Sequence, residues 1–232
     1  MITSQTVLYA LLGGMLPAII WLQFWLREDK DHPEPKGRII YTFLVGGLAI
    51  IPVFFVQVFL MLHLNVDSHN LIYIFLAAST EEIFKYSAAY WTALRTRFFD
   101  EPVDAVVYTM TAALGFSAVE NVLYVLQPLA IGDPLQGLVT GNFRFIGASL
   151  LHITASAIVG SFISFAFYKS RTLKRSLTIV GLVLAAALHT FFNFFIIVSD
   201  RGYNLIVFSS IWIAIILLIL IIERIKFIKK NN

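Results

Sequence analysis

Runs of about 20 apolar residues recur along the chain between short polar breaks, and this pattern constrains the fold more than any other feature. An α-helix rises 1.5 Å per residue, so a hydrocarbon core of roughly 30 Å takes about 20 apolar residues. Seven segments meet that requirement: 6–26, 39–63, 71–94, 103–127, 145–168, 177–198 and 203–222. The intervening breaks run Arg27 to Arg38 with Pro33 and Pro35, Asn65 to Asn70, Arg95 to Pro102, Pro128 to Asn142 with Gly132, Asp133 and Pro134, Lys169 to Ser176, and Ser199 to Gly202. With 59% hydrophobic residues, 13% charged residues and a mean hydropathy of +0.82, the chain lies outside the soluble globular range. The expectation is an all-α, polytopic membrane bundle of about seven transmembrane helices, with residues 1–232 forming a single integral-membrane domain.

Charge sets the expected orientation. Lys and Arg cluster in the stretches Arg27 to Arg38, Arg95 to Arg97, Lys169 to Arg175 and Arg224 to Lys230, whereas the opposite helix ends carry only Arg144 and Arg201. Cytoplasmic ends are enriched in basic residues, which places the N-terminus outside and the C-terminus in the cytoplasm. The net charge of +3 is therefore a topology signal, and no nucleic-acid partner is expected. No basic residue precedes the first apolar run, so that run is expected to remain as a helix rather than be removed as a signal peptide. The absence of cysteine excludes thiolate chemistry and leaves His, Glu, Asp or Asn as metal ligands. Ser156, Gly160 and Ser164 form a small-residue stripe suited to close helix packing, and Gly13, Gly14, Gly46 and Gly47 are further candidates for such contacts.

Against this apolar background, Glu81, Glu82, Lys85, Glu120, His152, His189 and Asn193 fall within predicted spans. Each ionisable group at membrane depth costs roughly 2.5–3.5 kcal/mol on insertion scales. Lys85 follows Glu81 by four residues and Glu82 by three, so it can neutralise one of them. The other carboxylate and Glu120 remain, and a low-dielectric site must protonate them, charge a histidine or bind a divalent cation. Counting rise along the predicted helices puts Glu81, Glu82, Glu120, His152, His189 and Asn193 about 8–15 Å from the outer surface. Phe116 and Glu120, Glu120 and Tyr124, His152 and Ser156, and His189 and Asn193 each share a helix face by four-residue spacing. A histidine and asparagine one turn apart offer donors to an oxyanion, and a glutamate can activate water, which together are the parts peptide hydrolysis needs.

The strings Glu81-Glu82-x-x-Lys85, Leu114-Gly115-Phe116-x-x-x-Glu120-Asn121-x-x-Tyr124, His152-x-x-x-Ser156-Ala157-Ile158-x-Gly160 and His189-x-x-x-Asn193 resemble, in that order, the PrsW family of intramembrane proteases. That family is similar in turn to the membrane-embedded CAAX prenyl endopeptidases. The likeness takes in Asp31 to Pro35, Asp104, Tyr108 and Arg144, and departs from the family at Ala105 and Thr109, where glycine is expected. The resemblance implies a multi-pass protease of the bacterial cell membrane that cuts a single-pass membrane substrate, such as an anti-sigma factor, toward the extracytoplasmic side. The expected catalytic residues are Glu81, Glu82, Glu120, His152, His189 and Asn193, supported by Lys85, Asn121 and Arg144.

Two mechanisms remain open at this point: glutamate-activated water alone, or a divalent metal such as zinc held by His152 and His189 with Glu120 or one of Glu81 and Glu82. The sequence does not choose between Glu81 and Glu82. Each polar residue also has a purely structural reading, as an intrahelical ion pair, an interhelical hydrogen bond or, for Arg144, a marker of the outer helix end. His32, His63 and His69 read as loop or interface residues. The competing function is a proton- or ion-coupled transporter, which predicts repeated halves and broken helices at a midplane site. The sequence has no internal repeat, and no glycine or proline lies beside Glu81 or Glu120.

Overall fold

The computed structural model describes residues 2–29, 32–64, 69–198 and 204–229, and none of these residues lies in a β-strand. The helices are α1 (Ser4–Trp25), α2 (Lys36–Leu48), α3 (Ile50–Leu64), α4 (Leu71–Ala89), α5 (Asp104–Ala130), α6 (Pro134–Phe143), α7 (Ser149–Phe165), α8 (Arg171–Val198) and α9 (Asn204–Ile225). Single π-helical turns extend α4 through Tyr90–Leu94 and join α6 to α7 through Arg144–Ala148. α2 and α3 form one rod interrupted at Ala49. The described residues thus make seven rods of spanning length, the fold class expected. Six are apolar enough throughout to cross a membrane. The seventh, α4 with its π turn, contains Glu81, Glu82 and Lys85.

The boundaries differ from expectation in two places. Most of the break expected from Pro128 to Asn142 is helical, with only 131–133 interrupting α5 and α6. Asp133 caps α6 by accepting from the Gln136 amide at 2.9 Å, and Pro134 occupies the first helical position, where its missing N–H costs nothing. An Asp-Pro pair that reads as a turn is here a helix start. Likewise α8 begins at Arg171, which shortens the break expected over Lys169 to Ser176. Asp31, Lys30, Arg201 and Lys230, which entered the orientation or motif readings, lie outside the described residues.

α5 and α7 form the centre, buried over long stretches, while α1, α3 and α9 turn rows of large apolar side chains outward. Lipid is as apolar as leucine, so packing between helices rests on close approach rather than on hydrophobic burial. A Cβ on Gly46 would collide with the Ala112 carbonyl, and one on Gly115 with the Phe43 carbonyl, so α2 and α5 touch backbone to backbone. Gly14 packs as closely on Val122. The expected stripe holds as well, with Gly160 against Val106 and Thr109. The family's missing glycines at Ala105 and Thr109 are accommodated here, because the facing residue is itself glycine.

Candidate active site

The site is assembled from α4, α5, α7 and α8 around α4's two adjacent glutamates. Adjacent helical residues point about 100° apart, and the two carboxylates have different surroundings. Glu82 is 1% exposed; its Oε1 accepts from Lys85 Nζ at 2.5 Å and lies 2.7 Å from His189 Nδ1, while Ser156 Oγ approaches Oε2 at 3.4 Å. Glu81 makes one hydrogen bond, accepting from Gln57 Nε2 on α3 at 3.0 Å through Oε1. Among the described residues its Oε2, which is buried, has no hydrogen-bond partner, and it faces His189 Nε2 at 3.6 Å. Lys85 therefore neutralises Glu82, and Glu81 is the free carboxylate.

Glu120 on α5 pairs with Arg144 Nη2 at 2.6 Å and meets His152 Nε2 at 2.8 Å. Arg144, which the sequence offers both as a supporting residue and as a helix-end marker, stands at the start of a π-helical turn with its side chain directed inward to Glu120. Its Nε donates to Asn121 Oδ1 at 2.5 Å, and Asn121 Nδ2 is anchored on Ser149 Oγ at 3.0 Å. The guanidinium carbon also sits 4.0 Å from the Tyr124 ring centre. Asn121 thus positions Arg144. Lys85 and Arg144 pair with Glu82 and Glu120, which leaves Glu81 as the carboxyl without a cationic partner of its own.

The hydrogen-bond partners fix the tautomers by their chemistry. A carboxylate only accepts, so Glu82 holds the proton of neutral His189 on Nδ1 and leaves the Nε2 lone pair directed at Glu81. An ammonium only donates, so Lys85 Nζ, 3.0 Å from His152 Nδ1, makes that atom the acceptor, and the ring proton on Nε2 goes to Glu120. The two rings cross at 5.2 Å between centres, interplanar angle 90°.

Among the described residues, Glu81, His152 and His189 each bring one ligand atom within 4.8 Å of the others. These residues fit a divalent cation. The orphaned Glu81 oxygen and the His189 lone pair are ready donors, and Glu82 on Nδ1 is the carboxylate that orients a metal-binding histidine. With such an ion bound, His152 would supply the third ligand atom. Of the glutamates offered as a third ligand beside His152 and His189, Glu81 lies with the two histidines, while Glu120 pairs with Arg144.

Two cavities meet at this point. A polar one of about 280 Å³ is lined by Glu81, Glu120, Arg144, His152, His189 and Asn193, so Asn193 faces the same space although it belongs to the next turn of α8. An apolar trough of about 490 Å³ between α3 and α5 reaches Glu81 and Glu120 from the side. Gln57 is the contributor that sequence reading missed: it lies in the predicted span 39–63, outside the four motifs that drew attention to the other residues.

The remaining family positions gather elsewhere. Glu34 accepts a hydrogen bond from the Tyr108 hydroxyl, and Asp104 accepts from the Asp100 and Glu101 amides at 3.0 and 2.7 Å. His32 pairs with Glu101 at 3.0 Å, while His63 and His69 are exposed, as expected for loop or interface residues. This cluster fastens the first loop to the start of α5.

The profile described as PrsW family intramembrane metalloprotease matches residues 34–221. The chain is 27% identical over 226 residues to Protease PrsW of Oceanobacillus iheyensis, covering 97% of this chain and 99% of that protein. It is 27% identical over 207 residues to Protease PrsW of Geobacillus kaustophilus, covering 87% of each. With the Bacillus subtilis Protease PrsW it shares 27% identity over 160 residues, 68% of this chain and 67% of the relative. No solved structure matches. A match across most of the chain, on a helical bundle with membrane-capable helices, makes this multi-pass bacterial membrane protein a member of the PrsW family of intramembrane proteases.

Proposed function

We propose that the chain hydrolyses a peptide bond in the membrane segment of a single-pass protein, such as an anti-sigma factor, near the extracytoplasmic side, using Glu81 to activate water. The observation that carries this reading is the unpaired, buried Glu81 Oε2 opposite the His189 Nε2 lone pair. An unsatisfied buried polar atom costs about 1–3 kcal/mol, and a fold that keeps one beside an empty acceptor reserves the place for a reactant.

A water between these two acceptors has both hydrogens directed, one to Glu81 and one to His189, so its oxygen lone pair faces the cavity. As that oxygen attacks the carbonyl carbon, Glu81 takes the proton and then delivers it to the leaving amine. The charge developing on the carbonyl oxygen faces Asn193 and Arg144, which line the same cavity. Glu82 and Lys85 hold the two histidine rings in the required tautomers. A divalent cation held by Glu81, His189 and His152 would supply Lewis-acid polarisation of the water and the carbonyl. The side of cleavage is supported by the clustering of basic residues at the helix ends remote from the polar layer.

The test is co-reconstitution of the protein with a single-pass substrate in vesicles, with products identified by mass spectrometry. The expected result is a cut in the extracytoplasmic half of the substrate's membrane segment. Ion or proton flux without any cut product would overturn the reading in favour of a transporter.

A further inference from the structure

Gln57 connects the free carboxylate to the helix least embedded in the bundle. α2 is fixed to α5 by the Gly46 and Gly115 backbone contacts. Pro52 then lacks the N–H that would bond the Leu48 carbonyl, which accounts for the break at Ala49 and makes a hinge between α2 and α3. Beyond it, Val53 is the buried residue of α3, packed with Ala49 and Phe116 in a small cluster separate from the main core. Phe54, Phe55, Phe59 and Leu62 are all more than half exposed. Gln57 is nevertheless partly buried, and its amide donates to Glu81 Oε1.

The trough that α3 forms with α5 is continuous with the catalytic cavity, because Glu81, Glu120 and Tyr124 line both. Its walls, including Phe54, Val119 and Leu123, are apolar and exposed, while its floor carries carboxylate and hydroxyl groups. An acyl chain matches the walls but leaves the floor without hydrogen bonds. A locally unwound peptide with apolar side chains matches both.

We propose that the substrate's membrane segment reaches Glu81 laterally through the trough between α3 and α5, and that Gln57 is a positioning residue that holds Glu81 Oε1 so that Oε2 faces His189. Displacement of α3 about the Pro52 hinge widens the trough, and its return restores the Gln57 contact. This inference rests on the protease reading and adds to it the route of access and the residue that aims the carboxylate.

Because the chain contains no cysteine, a single introduced cysteine can be labelled without background. Phe54→Cys and Leu123→Cys, modified with a bulky maleimide, should lose at least about tenfold in cleavage of a co-reconstituted single-pass substrate. The same label at Leu138→Cys, in the separate apolar cavity between α1 and α6, should leave the rate unchanged. Gln57→Met keeps the side-chain length and removes the donor; kcat should fall about 10- to 100-fold, as for a lost hydrogen bond to a charged group, with KM unchanged. Equal rates in labelled and unlabelled Phe54→Cys and Leu123→Cys proteins would overturn the lateral route, with the trough then a lipid site. A Gln57→Met protein with wild-type kcat, or with altered KM alone, would overturn the positioning role. Both results leave the protease reading standing, whereas absence of cleavage by the unlabelled wild type would overturn that reading and this one together.

Discussion

Lys85→Met removes the cation at the centre of the site while nearly conserving its volume. The Lys85 side chain is 0% exposed; it pairs with Glu82 at 2.5 Å and donates to His152 Nδ1 at 3.0 Å, so both contacts lie in a dry environment. Loss of one partner from a buried ion pair leaves an uncompensated charge and costs about 3–5 kcal/mol. Glu82 would keep only His189 and the longer contact from Ser156, so the upper half of that range applies. The double variant Lys85→Met, Glu82→Gln removes both charges, yet Gln still accepts from His189 Nδ1. It should recover most of the loss, for a coupling of at least about 2 kcal/mol. Equilibrium unfolding in mixed micelles, run as a double-mutant cycle on the wild type, both single variants and the double, measures that coupling. A Lys85→Met protein as stable as wild type, or two single effects that simply add, would refute the claim that this pair is a buried, mutually dependent unit.

Two further outcomes follow from other parts of the structure. Burial, followed by the neighbouring charges of Asp100 and Glu101, pushes the Glu34 carboxyl above its ordinary range despite the Tyr108 hydrogen bond. Folding therefore favours the protonated form relative to the unfolded chain, and the stability this confers, present at acidic pH, is lost as pH rises past the carboxylate range. Thermal unfolding followed against pH should show this loss in wild type and a flatter profile in Glu34→Gln, which still accepts from Tyr108. For the metal, purified wild-type protein should hold about one divalent cation by elemental analysis, and His189→Ala should lose it. Cation content equal in the two proteins would remove Glu81, His152 and His189 as the ligand set.

Much of this arrangement is visible in the sequence because lipid makes polar groups conspicuous. Glu81, Glu82, Glu120, His152 and His189 stand out as costly, and helical spacing brings them to a shared depth. Their division of labour is less visible. Which glutamate Lys85 takes depends on where α8 places His189 and α3 places Gln57, and neither is set by distance along α4. The inward turn of Arg144 depends on the π-helical turn and on α6 beginning at Pro134, upstream of any apolar run. The fastening of Glu34 to Tyr108 joins a loop to a helix more than 70 residues away, and no local pattern announces it.

The role of Glu81 can be measured most directly by comparing Glu81→Gln with wild type in the same vesicles, following both cleavage rate and unfolding. A lost general base costs about 10²- to 10⁴-fold in rate. Replacing a carboxyl whose outer oxygen has no hydrogen-bond partner should leave stability unchanged or higher. Cleavage at the wild-type rate, or a protein that is inactive because it has become unstable, would contradict the assignment of the free carboxylate as the working group.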